Sequence, residues 1–284
     1  MNDARSPRSE LPVMSGSIYD WPRYYDFVYG SDWQAECDFL NGCFRRFANL
    51  DQGAGSPVQR LFEPACGTGR LLYRLGRQGY QVSGVDLNEP AVEFCNRRLV
   101  KAGIDGAARV ADMCDFRLEQ PCDAAFNTIS SFRHLENDQR ARDHLKCMAS
   151  ALRPGGLYVL GFHLTPESVL DQDDSESWSH RRGHLQVNTS MWLLDRDVKQ
   201  RQERFAVVLD VYTPTRQFRI EDEISFRMYT AHQFMELLNQ VPEFAIAGVF
   251  DFSYDLDCPV RMDESSEDTV FVLRKQTGNA TDRT

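Results

Sequence analysis

Three carboxylates and two glycines in the first part of the chain are spaced for ligand binding. Glu63 opens the stretch EPACGTGRL, which follows the short run VQRLF at 58–62 and carries Gly67 and Gly69. Asp86 comes nineteen residues after Gly67, and the pair Asp112-Met113 follows further on. A strand, a glycine turn and a helix bring unpaired backbone N–H groups to one point, which suits a ligand carboxylate or phosphate. The dinucleotide fingerprint needs a third glycine, and Leu72 stands in its place. No Gly-Lys-Ser/Thr follows, so the turn is not a phosphate-clamping loop. Glu63 at a strand end suits an ammonium group. Asp86 at the next strand end suits two ribose hydroxyls. Asp112 suits an exocyclic amine, and Met113 a purine face. Together they describe a nucleoside that also carries an amino-acid end.

The elements that must position these groups alternate. Strands are expected at 58–62, 82–85, 108–111, 123–129 and 157–162. Helices are expected at 70–78, 90–102 and 138–152, with Pro90 in a first turn and Gly79 and Gly103 just past helix ends. Alternation at this spacing predicts an α/β fold with a mostly parallel sheet flanked by helices. An aromatic-rich segment at 18–29 and a helix at 33–47 come before it. After strand five the pattern changes. Residues 171–177 read as an acidic, solvated loop. Three longer β-like segments then fill 184–229 and predict an antiparallel β insertion. A helix at 231–240 and strands at 244–250 and 269–273 close the chain.

The motifs EPACGTG, GVDLN, ADMCDF and LRPGGLYVL, in this order, resemble those of class I S-adenosylmethionine-dependent methyltransferases. The resemblance covers residues 18 to about 165 and implies a Rossmann-like seven-stranded sheet with one antiparallel edge strand. It implies S-adenosyl-L-methionine as cofactor. Carried over position by position, Glu63, Ala65, Gly67, Thr68 and Gly69 would meet the methionine part and ribose. Asp86 would hold the ribose hydroxyls, Leu87 and Met113 the faces of adenine, Asp112 its edge, and Asn127 would complete the set. Glu63 departs from the family's usual aspartate. The segment YYDFVY resembles the tyrosine-rich lid of small-molecule members, which implies that Tyr25 and Tyr29 touch the cofactor and Tyr25 the reacting end. SSFRHL and the insertion resemble N-methyltransferases of amino-sugar type. In that group the insertion roofs the acceptor or builds a dimer contact, so a homodimer is one expectation.

Methyl transfer from a sulfonium is an in-line displacement, and the protein's task is alignment and exclusion of water. A base is needed only where the nucleophile must lose a proton, and histidine suits neutral pH. His134 and His163 follow strands four and five, where the acceptor should lie. Arg133 could hold an anionic acceptor. Trp192, Arg227 and Tyr229 of the insertion could reach it.

The remaining expectations are bulk ones. A formal charge of -10 argues against a nucleic-acid partner. No run is long and apolar enough for a bilayer, and the first residues lack a signal-peptide core. None of the eight cysteines forms a C-x-x-C pair or a zinc-like set, so no metal is expected and reduced thiols in a cytoplasm are. The organisation expected is a flexible tail at 1–17, one methyltransferase domain at 18–274 with a helical lid at 18–57 and the insertion at 171–229, and a tail at 275–284. The alternatives to a small-molecule enzyme are an RNA or protein methyltransferase and a non-catalytic cofactor-binding regulatory protein. No N-P-P-Y or D-P-P-Y motif follows strand four, where NTIS stands.

Overall fold

Alternating burial along the chain builds two sheets. The computed structural model describes residues 11–30, 33–50, 57–166 and 175–277. In chain order the elements are β1 (Val13–Met14), a 3-10 turn (Ile18–Asp20), α1 (Pro22–Tyr29), α2 (Gln34–Phe47), β2 (Arg60–Pro64), α3 (Arg70–Gly76), β3 (Gln81–Asp86), α4 (Glu89–Lys101), β4 (Gly106–Val110) and β5 (Cys122–Asn127). A second 3-10 turn (Ser131–His134), α5 (Asp138–Ala151), β6 (Leu152–His163), β7 (Ser175–Arg182), β8 (Leu185–Asp197), β9 (Gln202–Tyr212), β10 (Gln217–Arg227), α6 (Ala231–Asn239), β11 (Phe244–Phe250) and β12 (Asp268–Lys275) follow.

The main sheet has seven strands in the order β11-β12-β6-β5-β2-β3-β4. Its order turns between β2 and β5, and ligands collect at the carboxyl ends beside such a switch point. All six residues of β5 are buried, as a central parallel strand requires. Successive side chains of a strand point to opposite faces. Phe62, Ala125, Tyr158 and Leu160 therefore pack with α5 and α6 on one side, while Leu61, Ala124, Phe126 and Val159 pack with α2, α3 and α4 on the other. α4 starts where the Asn88 side chain accepts from the Ala91 N–H at 2.9 Å.

The second sheet is β1-β10-β9-β8-β7. Its inner face, with Val187, Val207, Leu209 and Ile220, buries Ile18 and Val28 of the N-terminal segment. The insertion is thus a wall clamped to the N-terminal segment that carries α1.

Four details differ from the sequence reading. Residues 11–17 of the supposed tail are fixed: Val13 and Met14 pair with Arg219 and Ile220, and Ser17 caps the first 3-10 turn. Residues 1–10 and 278–284 lie outside the described residues. The acidic loop at 171–177 is a strand from Ser175 onward, and 171–174 lie outside the described residues. This fourth long strand, SESWSHRR, was hidden because an edge strand facing water shows no apolar alternation. The antiparallel strand of the main sheet is β12, one place in from the edge strand β11, with which it also pairs antiparallel. Finally, Pro154-Gly155-Gly156 does not separate helix from strand. β6 begins at Leu152, opposite Cys122, and the triplet forms a register shift before Ala124 meets Leu157.

Candidate active site

The glycine turn after β2 is held by the strand beside it. Asp86 Oδ2 accepts from the Gly67 N–H at 2.7 Å, and its Oδ1 accepts from Asn88 N at 2.8 Å. Ala65, Gly67 and Gly69 all have positive φ. The two glycines do different work. A Cβ on Gly67 would meet nothing within 4 Å, so its backbone faces open space. A Cβ on Gly69 would lie 2.2 Å from Cys95 Sγ, so its bareness lets α4 approach.

A cavity of about 1190 Å³ opens over this turn. Ala65, Gly67, Thr68, Asp86, Leu87 and Met113 line one end. Leu87 is 69% exposed into this open region, an apolar surface ready to be covered. Tyr19, Tyr25 and Tyr29 line the cavity from the N-terminal segment, their rings 5.3 and 4.7 Å apart in succession. Burial pushes the Tyr25 hydroxyl up to about 12 and raises those of Tyr19 and Tyr29, so all three remain neutral donors. α1 is tied to the turn: Thr68 Oγ1 donates to Asp26 Oδ1 at 2.8 Å, and Arg98 pairs with the same carboxylate.

Four of the expected cofactor residues do not line the cavity. Gly69 is turned to Cys95, as above. Asp112 is engaged by Arg140 and by the Cys114 N–H at 2.8 Å. Glu63 and Asn127 are buried at the carboxyl ends of β2 and β5. Each keeps one oxygen, Glu63 Oε2 and Asn127 Oδ1, without a hydrogen-bond partner. Buried acceptors are almost always satisfied, so two orphans at adjoining strand ends suit a bound donor. Burial drives the Glu63 carboxyl well upward, with Arg70 opposing. A ligand ammonium would supply both the missing donors and a countercharge. The set of acceptors therefore fits an amino-acid end at this site, a ribose at Asp86 and an apolar base between Leu87 and Met113.

The base-side loop is clamped from α5. His144 Nδ1 is 2.9 Å from the Met113 carbonyl and Nε2 is 2.8 Å from the Tyr158 hydroxyl. Burial lowers its pKa from 6.5 to about 4. The folded value lies below the unfolded one, so unfolding takes up a proton and acid destabilises. The contribution is complete above about pH 6.5 and is lost as pH falls toward 4. With about 1.36 kcal/mol per unit, the loss between pH 7 and 5 is about 2 kcal/mol. His144→Phe should therefore show a shallower fall in urea-unfolding free energy over that interval. Equal slopes in the two proteins would refute this.

The opposite wall comes from the insertion and from the ends of β5, β6 and β12. Trp178, Met191, Phe205 and Phe226 supply apolar surface, and Glu176, Glu267 and Asp268 supply carboxylates. His134 and His163 both line the cavity. His134 Nε2 is 3.1 Å from the Tyr19 hydroxyl, and its ring packs 4.9 Å from Phe226. Burial first, then Arg133, lowers it to about 4. His163 Nδ1 lies 2.6 Å from Asp268 Oδ1.

Other expected acceptor contacts fall elsewhere. Trp192 lies on the opposite face of β8 from Met191 and is 38% exposed. Arg227 pairs with Asp138 at 2.9 Å, anchoring the insertion to α5. Tyr229 is buried among Phe132, Phe162 and Phe234. Arg133 lines the cavity, but its guanidinium pairs with Glu203, which also accepts from Arg196 Nε at 2.8 Å. Trp178, Phe205 and Phe226 were not singled out in the sequence. Period-2 alternation in VVLDVY and its neighbours shows that a face is buried; it does not show which residues border a cavity.

Residues 62–156 match the family model of a methyltransferase domain. The chain is 25% identical to the dTDP-3-amino-3,4,6-trideoxy-alpha-D-glucopyranose N,N-dimethyltransferase of Streptomyces venezuelae, over 64% of this chain and 74% of that one. It is 30% identical to the ubiquinone biosynthesis O-methyltransferase of Xanthomonas euvesicatoria pv. vesicatoria, over 38% of this chain and 44% of that one. In structure it is similar to CalS10, an amino pentose methyltransferase from Micromonospora echinaspora, with a TM-score of 0.68, 18% identity, and coverage of 93% of this chain and 98% of that one. The matched domain and the named relatives agree on an S-adenosylmethionine-dependent methyltransferase, and the seven-stranded, mostly parallel sheet is the fold it shares with CalS10. No helix among the described residues is long and apolar enough to cross a membrane.

Proposed function

We propose that the chain methylates an amine on a small molecule of the amino-sugar class. One observation carries the reading. A single cavity joins the cofactor end to a wall that mixes Glu176, Glu267 and Asp268 with Trp178, Phe205 and Phe226. Carboxylates beside aromatic faces favour a cationic, ring-bearing acceptor. The activities named for the Streptomyces and Micromonospora proteins, both on amino sugars, support the same class.

When bound, S-adenosylmethionine supplies a methyl group on an electrophilic sulfonium. The residues of the chain do the rest. Asp86, Leu87 and Met113 would hold the nucleoside, and the unpartnered oxygens of Glu63 and Asn127 would take the ammonium. Tyr19, Tyr25 and Tyr29 close over the reacting end as neutral hydroxyls and limit water. The insertion would hold the acceptor against the methyl end, since productive transfer requires the reacting atoms roughly 3–3.5 Å apart. His134 is a poor proton acceptor, because burial holds it neutral with a pKa of about 4 and its Nε2 faces Tyr19. It serves as part of the wall. We place the enzyme in the cytoplasm, a setting that suits eight unpaired thiols.

The test is methyl transfer from isotopically labelled S-adenosylmethionine by purified protein. The acceptors are free and dTDP-linked amino sugars, phenols, and bulk RNA. Label should enter the amino sugars, with mass spectrometry placing it on nitrogen. Preferential labelling of phenols or RNA would overturn the reading.

A further inference from the structure

We infer that Asp268 is a positioning residue that sets His163 as the proton acceptor of the transfer, an inference resting on the amine-methylation reading above. The two residues are direct partners in the antiparallel β6–β12 ladder. That register holds their Cβ atoms about 5 Å apart, close enough for the side chains to meet without strain. They meet through Nδ1 and Oδ1 at 2.6 Å, and both border the cavity. A carboxylate only accepts, so Nδ1 carries the proton and Nε2 keeps its lone pair. The ring is steadied by Phe252, with centroids 5.0 Å apart. The His163 N–H donates to Ser130 Oγ at 3.4 Å, which ties the base to the loop after β5. The charged groups here are Asp268 and its neighbour Glu267, both on the cavity wall. The imidazole holds the Asp268 carboxyl below the usual carboxylate range, as a carboxylate accepting a short hydrogen bond should be. Of the two cavity histidines, His163 has a carboxylate behind it, and His134 has a phenol and an arginine neighbour.

The step balances without a further reagent. The acceptor enters as an ammonium and passes one proton to Nε2 of His163. The imidazolium so formed is stabilised by the Asp268 carboxylate. The freed nitrogen pair forms the nitrogen–carbon bond as the carbon–sulfur bond breaks, its electrons going to sulfur. An N-methylammonium and a neutral thioether result, and the imidazolium returns its proton to water.

The test uses the full chain with 15N-labelled histidine and bound S-adenosylhomocysteine. Wild type should show His163 as the Nδ1–H tautomer at pH 8. Asp268→Ala should shift it toward the Nε2–H form, and Asp268→Asn, which keeps an acceptor oxygen, should preserve Nδ1–H. In parallel, kcat for free or dTDP-linked 3-amino-3-deoxyglucose should fall about 100-fold in His163→Phe. Asp268→Ala should give a similar loss, the double variant no more, and KM for S-adenosylmethionine should stay unchanged. An Nε2–H tautomer in wild type, or losses that add in the double variant, would overturn the role of Asp268. Bound S-adenosylhomocysteine with no amine methylated by wild type would instead overturn the functional reading.

Discussion

Asp86→Ala should weaken S-adenosylhomocysteine binding by at least about 100-fold. The side chain has two tasks in one place. It holds the Gly67 and Asn88 N–H groups at 2.7 and 2.8 Å, and it lines the cavity end assigned to ribose. Removing it frees the turn and deletes the acceptors for the hydroxyls. Hydrogen bonds to a charged group contribute about 1.5–3 kcal/mol each. Two such bonds to ligand correspond to 100-fold or more in Kd. Asp86 is also partly desolvated, and burial raises its carboxyl while the Asn88 and Gly67 N–H groups oppose that rise. Ligand hydroxyls would reinforce the ionised form. Calorimetry on the variant, with circular dichroism to establish that it is folded, checks the expectation. An unchanged Kd would mean that the ribose lies elsewhere.

The second large effect concerns stability. Glu36 is buried on α2 and takes both Arg70 guanidinium nitrogens at 2.7 Å, one on each oxygen. Thr128 Oγ1 donates to the same carboxylate. Glu36→Ala would leave the Arg70 charge in a nearly closed site, which typically costs about 3–5 kcal/mol. The midpoint of urea unfolding should fall with little change in slope. Adding Arg70→Met should recover part of the loss, because it removes the unpaired charge. A loss below about 1 kcal/mol would show that the pair is effectively solvated. The pair also concerns the site. Arg70 acts on Glu63, and without Glu36 it is freer to turn toward the carboxylate assigned to the ligand ammonium.

How much was legible in the sequence depended on how far apart the cooperating residues lie. The glycine turn, Asp86 and Leu87 form one local unit, strand–turn–helix and the next strand end, so their spacing is enough to bring them to one end of the cavity. The sheet was legible for the same reason, since each βα repeat carries its own punctuation. Asp112 reads as a carboxylate for the adenine edge, yet Arg140 of α5 engages it, and that pairing is not written locally. His163 could be chosen by its place after a strand, but its partner Asp268 is 105 residues away. Only the β6–β12 register brings them together. Arg133 looked like an anion hook because sequence shows a charge and not its partner, Glu203. β7 was missed because it faces water, and Trp178 with it. Trp192 belongs to the insertion expected to roof the acceptor, although alternation along β8 puts it on the face opposite Met191. Local chemistry was readable; pairings made by topology were not.

The central claim is that the floor of this cavity, built from the glycine turn, Asp86, Leu87 and the Met113 loop, holds S-adenosylmethionine beneath the insertion. Titration calorimetry of the purified chain with S-adenosylhomocysteine tests it most directly. The account predicts saturable binding of one ligand per chain. No heat of binding at millimolar ligand would contradict it.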